Sequence, residues 1–409
     1  MIRSALLSER TAPAVGGERK SPRLEPPDSR PTQPVNVMHL INTGGPGGAE
    51  SVCVNLIRNL DPRRWSGIAV LPTTGWLHSE VTRAGAEVVI DDSHALSDLP
   101  RHLLSLVRLV RKHRIGLIHA HLFGPSYTAS LLGLLTGKPV VCTLHGHVDL
   151  DPRERFKRIK FGLINRGASR VVFVSQSLKR FFLGTGLLRP GIATVIPNGV
   201  DLARFQRSPD LGARRKFGAS PGDFLVGAVG NVRPAKGYDV FIQTAGLLNA
   251  RSSTYRFAVV GEADSELGGA LHSLREQVGV TESFAFPGFS DDIPTAMTAF
   301  DLFVITSRTE GFSIATIEAM ASGLPIVATR CGGPEEILED GVTGVLVENG
   351  SAEAIAEAIE ALRTDPRRRR RLGDAARADV RERYGLERQV EAYEALYHKC
   401  LVGQLSRLA

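Results

Sequence analysis

The sequence is poor in cysteine: four residues in 409, Cys53, Cys142, Cys331 and Cys400, far apart and in no CxxC pair. A disulfide framework is thereby excluded, no metal-ligand spacing appears along the chain, and a reducing, cytoplasmic setting is favoured. Long apolar runs are missing as well. No stretch approaches the roughly 18 to 20 residues that cross a bilayer as a helix, and the longest are broken by glycine or charge. The first 34 residues, MIRSALLSERTAPAVGGERKSPRLEPPDSRPTQP, lack the apolar centre of a signal peptide and are rich in Pro, Arg, Ser and Glu. Residues 1–34 therefore read as a disordered tail. Aromatics make up 6% and do not interleave with the basic residues, and no reader motif is present, so nucleic acid is not an expected partner.

What is there is ordinary globular chain, 43% hydrophobic and 23% charged, long enough for two domains of roughly 150 to 200 residues each. From Val35 onward, short runs rich in Val and Ile (VNVMHLIN, GIAVLPT, AEVVID, GLIHAHL, PVVCTLHG, SRVVFVS, ATVIP) alternate with amphipathic segments. In LPRHLLSLVRLVRKHR, Leu103, Leu106, Val107 and Val110 fall on one helical face. The rhythm pauses in a polar segment holding two prolines and resumes with FLVGAVGNV, YRFAVVGE, FAFPGF, DLFVITS and PIVATRCGG. The expected architecture is α/β: two Rossmann-like doubly wound domains facing across a cleft, with ligands at the carboxyl ends of the strands. The boundaries fall at 35–203 for an N-terminal, acceptor domain, 204–223 for a linker and 224–385 for a C-terminal, donor domain. A final helix, 386–409, carries Val390, Tyr393, Leu396 and Tyr397 on one face and is expected to return to the N-terminal domain.

The formal charge of +7 is unevenly placed. Residues 151–180 hold nine Lys or Arg against Asp151 and Glu154. A solvated helix face explains such a segment. A basic surface that meets an anionic lipid headgroup is the other reading, and it implies peripheral contact with the inner face of a membrane.

Three glycine-marked turns follow strands. The first, LINTGGPGGAESV, leads through Gly44, Gly45, Gly47 and Gly48 into a helix, where free amide groups offer a place for a phosphate or a sugar. It matches neither a dinucleotide fingerprint nor a P-loop. In the second, AVGNVRPAKGYDV, Gly230 ends a strand and the cations Arg233 and Lys236 flank a turn before Gly237, which suits a diphosphate leaving group. In the third, TSRTEGFSIATIEAMASG, Glu310 and Glu318 stand eight positions apart around a Gly-Phe-Ser turn. With Glu310 at a helix start, the two would be separated by up to ~12 Å along the axis. Glycosidase carboxylates flank one bond at roughly 5 to 9.5 Å. The pair therefore reads as two contacts on one extended ligand: Glu318 on a ribose diol, Glu310 and the amides of Gly311, Phe312 and Ser313 on a sugar hydroxyl and phosphate. That ligand is a nucleotide sugar.

The pattern SRTEGFSIATIEAMASGLPIVAT, together with GGPGGAE, TLHGH, VIPNGVD, GNVRPAKG, VVGE and GGPEEILEDGVTGVLV in that order, resembles the retaining glycosyltransferases of family 4, which have the GT-B fold. The resemblance runs from about Val35 to Leu401. It implies that Gly48 approaches the sugar phosphate or acceptor and that His145 points at the transferred sugar. It further implies that Lys236 binds the diphosphate, and that Glu310 and Glu318 contact the sugar and the ribose. Where the family often has GRL this chain has Gly230-Asn231-Val232, and Arg233 is expected to supply the missing charge.

A retaining transferase of this kind moves a hexose-type sugar from a nucleoside-diphosphate sugar, its co-substrate, to an acceptor hydroxyl in polysaccharide or glycolipid synthesis. The acceptor is a glycan or a lipid-linked glycan. The family implies catalysis by position and charge, with Glu310, Lys236, Arg233 and His145 as the catalytic set and no metal or other cofactor; no DxD motif occurs, and Asp291-Asp292 in FSDDIP reads as a helix cap. Two alternatives share the fold: a UDP-sugar epimerase, and a non-catalytic nucleotide-sugar-binding partner of an assembly.

Overall fold

The computed structural model of the chain describes residues 33–92, 99–147, 150, 156–208, 210–263 and 265–408. The expected tail lies outside the described residues but for Gln33 and Pro34, as do Asp151, Arg153, Glu154 and Arg155 of the basic segment. Strands β1 (Val35–Leu40), β2 (Trp65–Leu71), β3 (Glu87–Ile90), β4 (Ile115–His121), β5 (Val140–Leu144), β6 (Arg170–Phe173) and β7 (Ala193–Val195) form a parallel sheet in the order β3-β2-β1-β4-β5-β6-β7. A second parallel sheet takes β8 (Phe224–Val229), β9 (Tyr255–Val260), β10 (Phe284–Gly288), β11 (Leu302–Ile305), β12 (Ile326–Thr329) and β13 (Val345–Val347) in the order β10-β9-β8-β11-β12-β13.

Helices cover both faces of each sheet, so the inner strands are apolar throughout rather than alternating; every residue of β5, β11 and β12 is buried. The helix Leu99–Lys112 buries Leu106 and Val110 and packs Leu103 and Val107 against the same core. Strand β13 has no counterpart in the sequence reading. It is three residues long at a sheet edge and only partly buried, too short for a periodicity to show.

The polar segment between the sheets is not bare. It carries a 3-10 turn at Leu202–Phe205 and a helix at Leu211–Lys216, capped by Asp210, whose carboxylate accepts from the amides of Gly212 and Ala213. Arg214 from that helix reaches Asp301 at 2.9 Å, which fixes the segment to the second sheet. Asp292 caps the helix Ile293–Ala299 by accepting from the Thr295 amide.

The last helix, Leu386–Leu408, packs on the first sheet. Val390, Tyr393, Leu396, Tyr397 and Cys400 share a buried cluster with Val37, Leu117, Val141 and Val172. Its tyrosines also satisfy polar groups under the sheet: the Tyr397 hydroxyl lies 2.6 Å from His119 Nδ1, His119 Nε2 is 2.7 Å from Thr143 Oγ1, and that hydroxyl is 3.1 Å from the Tyr393 hydroxyl.

Each sheet reverses its strand order once, between β1 and β4 and between β8 and β11. Crevices in open parallel sheets form at such points, at the carboxyl ends of the strands.

Candidate active site

In the C-terminal half, three loops leave adjacent strands at the reversal. After β8, Gly230 adopts φ 148° and a 3-10 turn at Pro234–Lys236 leads to Gly237, φ 64°, which opens the helix Tyr238–Asn249. A Cβ on Gly237 would collide with the Thr306 carbonyl, so this position combines left-handed backbone with close approach of the next loop. The Thr306 hydroxyl donates to the Lys236 carbonyl at 3.0 Å, and the Arg308 amide donates to the Ala235 carbonyl at 2.7 Å. The loops after β8 and β11 are thus sewn together, and the outcome is to face Lys236 toward Glu310.

Lys236 Nζ stands 2.7 Å from Glu310 Oε1, and the Ser307 hydroxyl donates to the same oxygen at 2.7 Å. The backbone of Glu310 is fixed to the loop after β12: its amide donates to the Cys331 carbonyl at 3.0 Å, and its carbonyl accepts from Gly333 at 3.1 Å. This corrects one expectation. Glu310 does not open a helix; the helix Ile314–Ser322 begins after Ser313, and Glu310 lies in the preceding loop, so a rise of 1.5 Å per residue cannot measure its distance to Glu318. Among the described residues the amides of Gly311, Phe312 and Ser313 meet no hydrogen-bond acceptor, as expected ahead of a helix N-terminus. The Phe312 ring turns away to meet Tyr384 edge-on at 5.6 Å, so only its backbone faces the cleft loop.

Glu318 sits on the helix, partly exposed. Desolvation by the surrounding protein raises its carboxyl to about 7, against the opposing pull of Arg204 and Lys236. Arg233 is exposed at the start of the 3-10 turn. Asn231, where the family often has arginine, is structural: its side chain donates to the Pro46 carbonyl at 2.8 Å and accepts from the Glu262 amide at 3.2 Å.

The N-terminal half meets these loops directly. Gly48 lies against Ile314, to which a Cβ would come within 3.4 Å. His145 follows β5, and burial pushes its imidazole down to about 3, so it is neutral at working pH. Gly311 touches the His145–Gly146 backbone: a Cβ there would stand 2.5 Å from the His145 carbonyl oxygen and 2.7 Å from Gly146 Cα. Ser175 donates to the Gly311 carbonyl at 2.5 Å, Thr309 Oγ1 is 3.2 Å from His147 Nδ1, and Glu336 accepts from the amides of Gln176 and Ser177 at 2.8 and 2.9 Å. The cleft is closed.

Sequence reasoning missed Ser307, Asn231 and Glu336 as parts of this arrangement, and also Arg308, which pairs bidentately with Asp239 at 2.8 and 2.5 Å. Ser307 and Arg308 lie within SRTEG, so their nearness to Glu310 was a usable signal. Asn231 and Glu336 lie in the segments GNVRPAKG and GGPEEILEDGVTGVLV but act across the cleft, and nothing in those segments shows their partners.

Two family models match: "Glycosyltransferase Family 4" over residues 46–204 and "Glycosyl transferases group 1" over residues 212–379. A GDP-mannose-dependent alpha-(1-6)-phosphatidylinositol monomannoside mannosyltransferase of Mycolicibacterium smegmatis is 30% identical over 317 residues, 73% of this chain and 80% of that protein. A 2-deoxystreptamine N-acetyl-D-glucosaminyltransferase of Streptomyces fradiae is 30% identical over 312 residues, 73% of this chain and 72% of that one. Among solved structures, HepE of Anabaena in complex with UDP and glucose superposes with a TM-score of 0.79 at 24% identity, covering 88% of this chain and 98% of that one.

Proposed function

The chain belongs to glycosyltransferase family 4 and has the GT-B fold, and on that premise we propose that it transfers a hexose-type sugar, with retention, from a nucleoside-diphosphate sugar to an acceptor hydroxyl. The observation that carries this reading is the 2.7 Å pair of Lys236 and Glu310 in the closed cleft, at the strand-order reversal of the second sheet. Residues 224–385 serve as the donor domain and 35–203 as the acceptor domain.

In this reading Lys236 turns to the diphosphate and neutralises the charge that grows there as the glycosidic bond breaks, with no metal ion required. Arg233, on the same loop, adds a second cation. Glu310, relieved of its lysine, accepts from a hydroxyl of the sugar, and Glu318 accepts from the ribose diol. The amides of Gly311, Phe312 and Ser313 face the phosphate, Gly230 and Gly48 let backbone approach the donor from either half, and neutral His145 offers a hydrogen bond to the sugar. The leaving phosphate oxygen takes the acceptor's proton. Closure by Ser175, Asn231 and Glu336 excludes water and so suppresses hydrolysis of the donor.

A screen of UDP-, GDP- and ADP-sugars tests the reading: nucleoside diphosphate is expected to appear faster with acceptor than without. Release from no donor in the presence of glycan and lipid-linked acceptors would refute it. The closed cleft gives a second test. Gly311→Ala places a methyl group against the His145 backbone, so kcat/KM is expected to fall by about 10²-fold through misplacement of the two halves. Unchanged kinetics would mean that the reacting arrangement is more open.

The acceptor in this reading is a glycan or a lipid-linked glycan. The relatives' names speak of a phosphatidylinositol mannoside in one case, which supports a glycolipid acceptor, and of the small aminocyclitol 2-deoxystreptamine in the other. On the N-terminal half, Phe156 and Ile159 stand 61% and 62% exposed beside the exposed Arg158, which supports contact with an anionic lipid surface. Binding to vesicles containing anionic lipid is expected, and it should weaken with salt. Equal binding to neutral vesicles would count against that contact.

A further inference from the structure

Beneath the cleft, three buried donors from two strands and a helix converge. His39 lies on β1, His121 ends β4, and Cys53 sits in the helix Gly48–Asn59 that follows the glycine turn. All three are buried, and one ring nitrogen from each histidine and the thiol sulfur lie within 4.8 Å of one another. Among the described residues neither ring nitrogen of His39 has a hydrogen-bond partner, and Nε2 of His121 has none. An unpartnered polar atom in a core forfeits the hydrogen bonds that water supplied to the unfolded chain. Three such nitrogens in one cluster with a thiol are a costly arrangement, and they set it apart from the neighbouring His119 and Thr143, which are paired with each other.

We propose that His39, Cys53 and His121 form a binding site for a thiophilic cation, with Zn(II) as the ion that fits the donors best. Two imidazoles and a thiolate are borderline-soft ligands that select zinc over magnesium or calcium. Zinc bonds of about 2.3 Å to sulfur and about 2.0 to 2.1 Å to nitrogen hold donor atoms about 3.5 Å apart, so the side chains need to draw in by little more than about 1 Å. Binding breaks the S–H bond of Cys53 and releases its proton to solvent. Charge then balances locally. One thiolate and the carboxylate of Glu50, itself buried and near enough to act on Cys53, together match a dication.

The site is a clamp and takes no part in the chemistry at the diphosphate. It would tie the helix behind the glycine turn of Gly44–Gly48 to the two strands at the order reversal. Nδ1 of His121 is 3.4 Å from Nε2 of His145, so coordination through Nε2 would also fix the imidazole that backs His145. Linear spacing could not show this, because the ligands come from two strands and a helix.

The test uses the full chain, treated with a chelator and then titrated with zinc chloride alone. We expect about one zinc per chain retained through gel filtration and a rise in the thermal midpoint. Cobalt(II) in place of zinc is expected to give a thiolate-to-metal charge-transfer band. Cys53→Ser should lose that band and bind zinc at least about tenfold more weakly, whereas Cys142→Ser, at a buried thiol outside the cluster, should keep both. If Cys53→Ser fails to fold, zinc stoichiometry and the cobalt band of the unaltered chain decide the matter. An unaltered chain that retains no zinc and shows no thermal shift overturns the proposal; so does a cobalt band that survives Cys53→Ser. None of these readouts depends on sugar transfer.

Discussion

Lys236→Ala is expected to lower turnover by about 10²- to 10³-fold, the usual cost of deleting one positioned charge that stabilises a departing group. The lysine is held for that task. Its carbonyl is tied to Thr306, its turn to Arg308, and its ammonium to Glu310 at 2.7 Å. The loss should fall mainly on kcat, because charge on the diphosphate grows as the bond to the sugar breaks. Glu310→Gln should cost a comparable factor, since an amide accepts less strongly than a carboxylate and no longer pairs with Lys236. The double variant is expected to lose less than the product of the single losses, as groups in contact act together. Stability is also expected to fall by about 1 to 3 kcal/mol in Lys236→Ala, because the pair is largely buried, at 26% and 12% exposure, and the carboxylate loses its ionic partner. Turnover near normal in both single variants would remove the assignment.

Glu318→Gln is expected to do two opposite things. Burial holds the Glu318 carboxyl at about 7, above its ordinary value of 4.5. Between those two values the folded chain keeps a proton that the unfolded chain has already lost. The stability this carboxyl allows is thus fully present below about pH 4.5 and falls as pH rises, until it levels off above 7. Because the side chain is partly exposed and solvent screens its charge, the difference amounts to at most about 3 kcal/mol. Removing the ionisable group should therefore stabilise the protein at pH 8 by up to about 3 kcal/mol and leave it nearly unchanged at pH 4, read from urea midpoints. Donor affinity should move the other way, falling by about tenfold with the loss of a charged acceptor for the ribose diol. A variant equally stable at both pH values relative to the parent, or one that binds nucleoside diphosphate as tightly, would contradict this role. The carboxylate is kept, in this account, at a cost to the fold.

Much of the architecture was legible because parallel strands covered on both faces must be continuous apolar runs. VVCTL and LFVI could be read as strands for that reason, and the break in the rhythm placed the polar segment between the two sheets. Strand β13 was not legible, since three edge residues carry no period. The glycine turns could be read because a turn that brings backbone close to a partner needs a residue without Cβ, as Gly237 shows against the Thr306 carbonyl. The position of Glu310 was misjudged by one element. Apolar spacing marks the body of a helix and leaves its first residue open by a turn; here the N-cap position falls at Ser313, whose side chain makes no capping hydrogen bond. Contacts across the cleft stayed hidden. Asn231 on Pro46, Ser175 on Gly311 and Glu336 on Gln176 join residues more than a hundred positions apart, and no local pattern requires them. His39, Cys53 and His121 stayed hidden as well, since only the pairing of β1 with β4 and the packing of one helix bring them together.

The central claim is transfer with retention from a nucleoside-diphosphate sugar held by Lys236 and Glu310. Proton NMR of the product made from an α-linked nucleotide sugar tests it most directly, followed in real time with the parent chain and with Lys236→Ala. The account predicts an α-linked product in step with release of the nucleoside diphosphate, and almost none from the variant. A β-linked product, or product formed equally well without Lys236, would contradict it.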